Sequence, residues 1–248
     1  MPFIPAGYPT LDATRAILPA IEQAGASLVE IGIPYSDPIA DGPVIQEAFG
    51  HSLRAGLRVS HVMQAIAAVR PSISIPLVAM VSYSIVFRHG PPRFMDEAKQ
   101  AGFDGLILPD LPPPEVDHVC ALARSAGLDA VLLVSPTTSA DRRRQIVSLC
   151  SGFVYYLSIT GITGERGSLP ADLAPNIRSL RQVTDLPICV GFGISQPKHL
   201  QELTGTADGA IVGSAIVRKL AQHARDRAEV IARVAADYCR ELLGGILP

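Results

Sequence analysis

Three acidic side chains fall close together in LVEIGIPYSDPIADGP, residues 28–43: Glu30, Asp37 and Asp41. Glu30 interrupts an apolar, β-prone run, where a polar group without partners costs on the order of 2–7 kcal/mol. Asp37 and Asp41 follow in a loop that three prolines stiffen. A carboxyl group in an apolar strand, followed by loop carboxyl groups, favours general acid–base chemistry at the end of that strand.

Each of these acids has a structural alternative. Glu30 would also be explained by an arginine partner or by capping backbone amides. Asp37 and Asp41 precede proline or glycine, which is ordinary turn chemistry. The combination with Glu30 favours Asp41, because two acids in different environments hold different protonation states. Asp110, in ILPDLPPPE, ends a later strand and is either a positioning residue or a helix-capping or loop residue.

Three glycine-rich segments come late in the chain: 161–164, 191–195 and 213–216. Each follows a predicted strand, and the last one opens a predicted helix. Exposed backbone N–H groups and a helix N-terminus together form an anion site. The sequence therefore predicts a small phosphate ester, bound mainly by main-chain amides.

The elements that position these groups alternate regularly between short β-branched runs and amphipathic stretches. Eight strands are predicted, at 3–6, 27–33, 75–81, 104–108, 130–134, 153–158, 187–190 and 209–212. Strands that alternate with helices pair in parallel, and eight units in about 250 residues match a closed (β/α)₈ TIM barrel. An open doubly wound sheet is disfavoured because no GxGxxG opens the first unit. No linker interrupts the pattern, so residues 1–248 are predicted to be one α/β domain.

In such a barrel the active site lies at the C-terminal ends of the strands. Side chains alternate along a strand, so Glu30 is expected to point into the barrel while Val29 and Ile31 face the helices. Tyr155, near the end of the sixth strand, faces either the core or the mouth. The polar loop 158–170 is either a lid that closes on substrate or a static surface loop.

The composition of the chain limits the kinds of partner and the kind of compartment that are expected for it. The net charge is −2 and the longest basic run is Arg142–Arg144, which disfavours nucleic acid. No signal peptide or membrane span is predicted. Four cysteines without a CxxC pair indicate free thiols in a reducing cytoplasm. The six histidines have no metal-ligand spacing and are predicted to lie on the surface, so no metal is expected.

Five segments carry a resemblance to a known family: VEIGIPYSDPIADGPVIQ (29–46), GFDGLILPDLP (102–112), YYLSITGITG (155–164), VGFGIS (190–195) and GAIVGSAIV (209–217). The chain closely resembles tryptophan synthase α subunits over nearly its whole length. The first segment is the most distinctive, since other phosphate-binding barrels share the late glycines but not this string.

The resemblance implies a carbon–carbon lyase that cleaves indole-3-glycerol phosphate to indole and glyceraldehyde 3-phosphate. The implied roles are catalytic residues Glu30, Asp41 and Tyr155, phosphate-binding residues Gly164, Gly193, Gly213 and Ser214, and substrate-binding residues Ile45, Thr163 and Phe192. It implies no cofactor in this chain. It also implies a pyridoxal-phosphate β subunit as partner, in an α₂β₂ heterotetramer that receives the indole.

Two segments depart from the family pattern. The family commonly has a helix before the first strand, so either the true start lies upstream or the barrel bottom is covered otherwise. The predicted loop at 81–87 reads VSYSIVF, where the family more often has Tyr-Asn-Pro. These departures motivate an alternative, a non-catalytic barrel that only activates a β partner. Another phosphate-binding barrel enzyme, such as an isomerase, has less support because such enzymes place their acids and bases differently.

Overall fold

The chain folds into a closed parallel β-barrel surrounded by helices. A computed structural model describes residues 1–38, 41–158, 169–191 and 193–246. The strands within them are β1 Phe3–Pro5, β2 Val29–Gly32, β3 Leu77–Met80, β4 Gly105–Ile107, β5 Asp129–Val134, β6 Val154–Leu157, β7 Ile188–Gly191 and β8 Gly209–Ile211.

The strands pair in sequence order and every pair is parallel. The backbone N–H of Phe3 donates to the carbonyl of Val212 at 2.9 Å, and Pro2 and Val212 form a parallel bridge. These contacts join β1 to the chain just after β8 and close the barrel. The predicted (β/α)₈ fold is therefore confirmed.

Helices follow the strands and cover the outside of the barrel. Within the described residues they are α1 Leu11–Gln23, α2 Pro43–Arg54, α3 Val59–Val69, α4 Tyr83–His89, α5 Pro91–Ala101, α6 Val116–Ser125, α7 Ala140–Leu149, α8 Leu173–Arg181, α9 Pro197–Leu203, α10 Ser214–Gln222 and α11 Ala228–Leu243. In that part of the chain, no helix is both long and apolar enough to cross a membrane.

An Ala-Gly pair ends three of these helices, just before the next strand. Gly25, Gly102 and Gly127 have φ angles of 98°, 100° and 73°. Glycine adopts this left-handed backbone without the steric cost that a Cβ brings, which turns the chain out of the helix. The repeated sequence signal thus reflects a repeated β/α unit.

Two apolar clusters divide the core. The larger one lies between the strands and the helices and includes Val29 and Ile31. The smaller one includes Val78, Ile107 and Tyr155 and fills the barrel interior. The predicted alternation along β2 is confirmed, since Glu30 pairs in register with inward-facing Val78.

Two predictions at the level of the fold are wrong. Residues 83–87, predicted as part of a loop, belong to α4, because Ser82 caps it by accepting from the N–H of Ser84 and Asp110 accepts from the N–H of Tyr83. His199, predicted to lie on the surface, is fully buried in α9 and accepts from the N–H of Ser195.

Candidate active site

Glu30 is a buried carboxyl group that forms no salt bridge in the described part of the chain, although the charge of the N-terminal ammonium group acts on it. It is 1% exposed, and its Oε2 has no hydrogen-bond partner there. Burial, and then the negative charge of Asp41, raise the pKa of Glu30 to about 8. The structural alternative, an arginine pair or an amide cap, lacks support, because no arginine or backbone amide of the described residues contacts this oxygen. A carboxyl group with such a pKa can give and take a proton near neutral pH.

Asp41 lies above Glu30 in the loop that follows β2. It is 7% exposed, and burial raises its pKa to about 6. The loop is held from α2: Gln46 Nε2 donates to the carbonyl of Asp41 at 2.7 Å and to that of Pro38 at 3.3 Å. Asp37, by contrast, is exposed and accepts from the hydroxyl of Ser36.

Tyr155 lies inside the barrel, near both acids. Burial, followed by the charges of Glu30 and Asp41, raises its pKa well above the ordinary value, so the phenol keeps its proton. Its ring occupies the space beside Gly191 on β7, where a Cβ would lie 2.4 Å from the phenol oxygen. Glu30 and Asp41, from one segment, and Tyr155, from another, therefore form one cluster.

Two residues near this cluster were not predicted as part of it. The ring of Tyr35 packs against Phe49 at 5.8 Å between centroids, and burial and the charges of Asp41 and Asp110 raise its pKa. Gln46 is the other, the residue that holds the Asp41 loop. The signals were present in the distinctive segment, where Tyr35 lies between Glu30 and Asp37 and Gln46 follows Asp41 by five residues.

Asp110 links the loop after β4 to the start of α4 by two hydrogen bonds. One carboxylate oxygen accepts from the hydroxyl of Ser82 at 2.6 Å and the other from the N–H of Tyr83 at 2.7 Å. Of the two alternatives, helix capping is observed. Asp110, in the loop after β4, caps α4, which follows the neighbouring strand β3.

Gly213 and Ser214 lie where the chain leaves β8, and α10 begins at Ser214. A Cβ on Gly213 would lie 3.8 Å from Ile45 Cδ1 and 3.9 Å from Phe3 Cβ. The predicted phosphate-binding residue Gly213 is thus a neighbour of Ile45, the predicted substrate contact. Phe3 in turn pairs in register with Glu30, which places the late loops beside the acids.

Gly193 follows β7 with a φ of 77°, a conformation that side chains rarely adopt. The strands β7 and β8 are neighbours, with Gly191 opposite Ile211, so their loops leave the barrel side by side. Phe192, Thr163, Gly164 and all but the ends of loop 158–170 lie outside the described residues.

The loops after β7 and β8 and the start of α10 therefore lie beside a protonatable carboxyl group at one end of the barrel. This arrangement can hold an anionic group and move a proton nearby. No group of three or more His, Cys, Asp or Glu side chains among the described residues could hold a metal ion.

Comparison with known proteins shows the family to which the chain is similar. The family model described as tryptophan synthase alpha chain matches residues 1–244. A tryptophan synthase alpha chain from Rhodopirellula baltica is 46% identical, over 98% of this chain and 91% of its own length. One from Chloroflexus aggregans is 44% identical, over 98% and 90%.

A solved structure of the tryptophan synthase A-subunit from Pyrococcus furiosus superposes with a TM-score of 0.89. It is 32% identical, with coverage of 98% of this chain and 96% of that one. The chain belongs to the tryptophan synthase alpha chain family and has the role of an α subunit in tryptophan biosynthesis.

Proposed function

We propose that this chain is a carbon–carbon lyase that cleaves indole-3-glycerol phosphate by a retro-aldol reaction, giving indole and glyceraldehyde 3-phosphate. The observation that carries the proposal is the carboxyl group of Glu30. It is fully buried, its Oε2 lacks a partner in the described part of the chain, and its pKa is about 8. Burial without a partner destabilises the fold, which is understandable if substrate uses the group.

Glu30 moves both protons of the reaction. Its acid form delivers a proton to indole C3, and the carboxylate so formed removes the proton from the adjacent side-chain hydroxyl. The O–H electrons then form the aldehyde C=O, the bond from C3 to the side chain breaks, and its electrons restore the indole ring. The reaction needs no external oxidant, reductant or cofactor.

Asp41 supports the intermediate by its charge. Protonation at C3 leaves positive charge on the ring nitrogen, and a carboxylate at N1–H stabilises that charge as it develops. The lower pKa of Asp41 suits this role, because Asp41 ionises at a pH where Glu30 still holds its proton. Tyr155, which stays protonated, is a hydrogen-bond donor beside both acids.

The phosphate group binds at the loops after β6, β7 and β8. Gly164, Gly193, Gly213 and Ser214 supply the site, and Ile45, Thr163 and Phe192 contact the substrate. The position of Ile45 beside Gly213 supports this arrangement, since one end of the substrate would then lie within reach of both.

The partner is a β subunit that carries pyridoxal phosphate and uses the indole, in an α₂β₂ assembly in the cytoplasm. Phe87 supports a docking surface at the rim, because it lies 65% exposed on α4, which follows the C-terminal end of β3. An exposed aromatic side chain is typical of interfaces.

Purified protein mixed with indole-3-glycerol phosphate tests the function, with indole as the readout. Slow release by the chain alone, and a strong increase when a tryptophan synthase β subunit is added, would support it. No release under either condition would instead support a non-catalytic barrel that only activates its partner.

A further inference from the structure

The peptide group of Ser195 is held from both sides. Its N–H donates to Nδ1 of His199 at 3.2 Å, and its carbonyl accepts from the hydroxyl of Tyr238 at 2.8 Å. Ser195 is two residues beyond Gly193, in the loop after β7. Two side chains from different helices therefore fix the loop that carries one half of the proposed phosphate site.

The side chain of His199 is fully buried, although the loop that it contacts is not. It is 0% exposed in α9, while the surrounding loop residues Gly193 and Ser195 are partly exposed. Because a backbone N–H can only donate, Nδ1 must be the acceptor in this bond, which places the ring proton on Nε2. The sequence predicted a surface histidine, and the bond to Ser195 gives this one a specific partner.

Tyr238 connects that loop to the other half of the site. It lies on α11, it is 6% exposed, and Nζ of Lys219 lies 5.4 Å from the centroid of its ring. Lys219 belongs to α10, which begins at Ser214. One tyrosine thus contacts the loop after β7 through its hydroxyl and α10 through its ring.

We propose that His199 and Tyr238 are positioning residues for the phosphate group: together they set the loop after β7 relative to the start of α10. The inference rests on the proposed function, because it assumes that an anion binds between these two elements. The proposed proton transfers use neither side chain, so we expect their loss to weaken phosphate binding and to leave the proton transfers in place. Misplacing a binding group by a fraction of an ångström is sufficient for such an effect.

Tyr238→Phe removes the hydroxyl and keeps the ring. We expect the Kd for glycerol 3-phosphate, measured by calorimetry, and the KM for indole-3-glycerol phosphate to rise about fivefold, the worth of one hydrogen bond, with kcat unchanged. Tyr83→Phe is the matched control, since it loses a tyrosine hydroxyl that donates to Glu115 at 3.1 Å on the far side of the barrel. Equal Kd values for Tyr238→Phe and the unsubstituted chain would overturn the inference.

Two substitutions of His199 separate positioning from packing. Asparagine Oδ1 and histidine Nδ1 are both three covalent bonds from Cα, so asparagine keeps an acceptor near the same place. Leucine fills similar space without an acceptor. We expect His199→Asn to retain most of the glycerol 3-phosphate affinity and His199→Leu to lose about fivefold. Equal affinities in two folded variants would overturn the role of His199.

The same titrations distinguish this inference from the proposed function. If the unsubstituted chain does not bind glycerol 3-phosphate, the phosphate site and the inference both fail. If it binds, and Gly213→Val weakens binding while Tyr238→Phe does not, the site stands and only the positioning role fails.

Discussion

The carboxyl groups of Glu30 and Asp41 lie close enough for the charge of Asp41 to raise the pKa of Glu30, yet they have different surroundings. Glu30 projects from β2 into the barrel, whereas Asp41 lies in the loop above it. Burial raises both pKa values, to about 8 for Glu30 and about 6 for Asp41. Between pH 6 and pH 8, Glu30 is therefore protonated and Asp41 is ionised.

This difference predicts a bell-shaped pH dependence for indole formation, with kcat/KM highest near pH 7. Below about 6 Asp41 takes up a proton, and above about 8 Glu30 loses the proton that it must deliver. Because the two groups interact, the limbs report the pair jointly. In Asp41→Asn the repulsion is gone, so the alkaline limb of the remaining activity should move to lower pH. An alkaline limb that stays at the same pH would show that it does not report the ionisation of Glu30.

The buried carboxyl group of Glu30 also predicts a variant that is more stable than the unsubstituted chain. Above pH 4.5 the unfolded chain loses the Glu30 proton, while the folded chain keeps it up to about 8, so stability falls across this window. Glu30→Gln removes that titration. Its free energy of unfolding should exceed that of the unsubstituted chain by a margin that grows from pH 4.5 to 8, reaching a few kcal/mol at about 1.4 kcal/mol per pKa unit.

Denaturant unfolding at several pH values measures this margin. Glu241→Gln, which removes an exposed carboxyl group, is the control with which the margin for Glu30→Gln is compared at each pH. A margin for Glu30→Gln that is constant with pH would show that the folded chain ionises Glu30 normally.

Gly213→Val should weaken phosphate binding without unfolding the chain. The structure has room for a Cβ at this position, where the nearest side-chain atoms are 3.8 Å away, and the added methyl groups would crowd the backbone N–H groups. We expect about a tenfold loss of affinity for glycerol 3-phosphate, about 1.4 kcal/mol. Unchanged affinity, with an unchanged unfolding temperature, would show that the anion binds elsewhere.

Gly191→Ala should displace Tyr155. The new Cβ would lie 2.4 Å from atoms of the phenol ring, so the ring must move, at a cost of about 1–3 kcal/mol in stability and with a loss of turnover. A double-mutant cycle with Tyr155→Ala tests the contact by denaturant unfolding. The cost of Gly191→Ala should largely disappear once the ring is absent, and additive effects would contradict the contact.

The sequence was most informative where the deciding signal is local. The alternation of Val29, Glu30 and Ile31 predicts which side chain enters the barrel, and the Ala-Gly pairs predict where helices end. It was least informative where a distant residue decides. The cap of α4 depends on Asp110 from another loop, and His199 lies in α9, which packs against β8 and α11. The grouping of Tyr155 with the acids likewise depends on barrel closure.

Single-turnover cleavage of indole-3-glycerol phosphate by Glu30→Gln tests the central claim most directly. Glutamine keeps the shape of glutamate but cannot shuttle the proton, so indole release should disappear while glycerol 3-phosphate binds with normal affinity. Release at more than about a tenth of the unsubstituted rate, less than about 1.4 kcal/mol of lost transition-state stabilisation, would contradict a role for Glu30 in proton transfer.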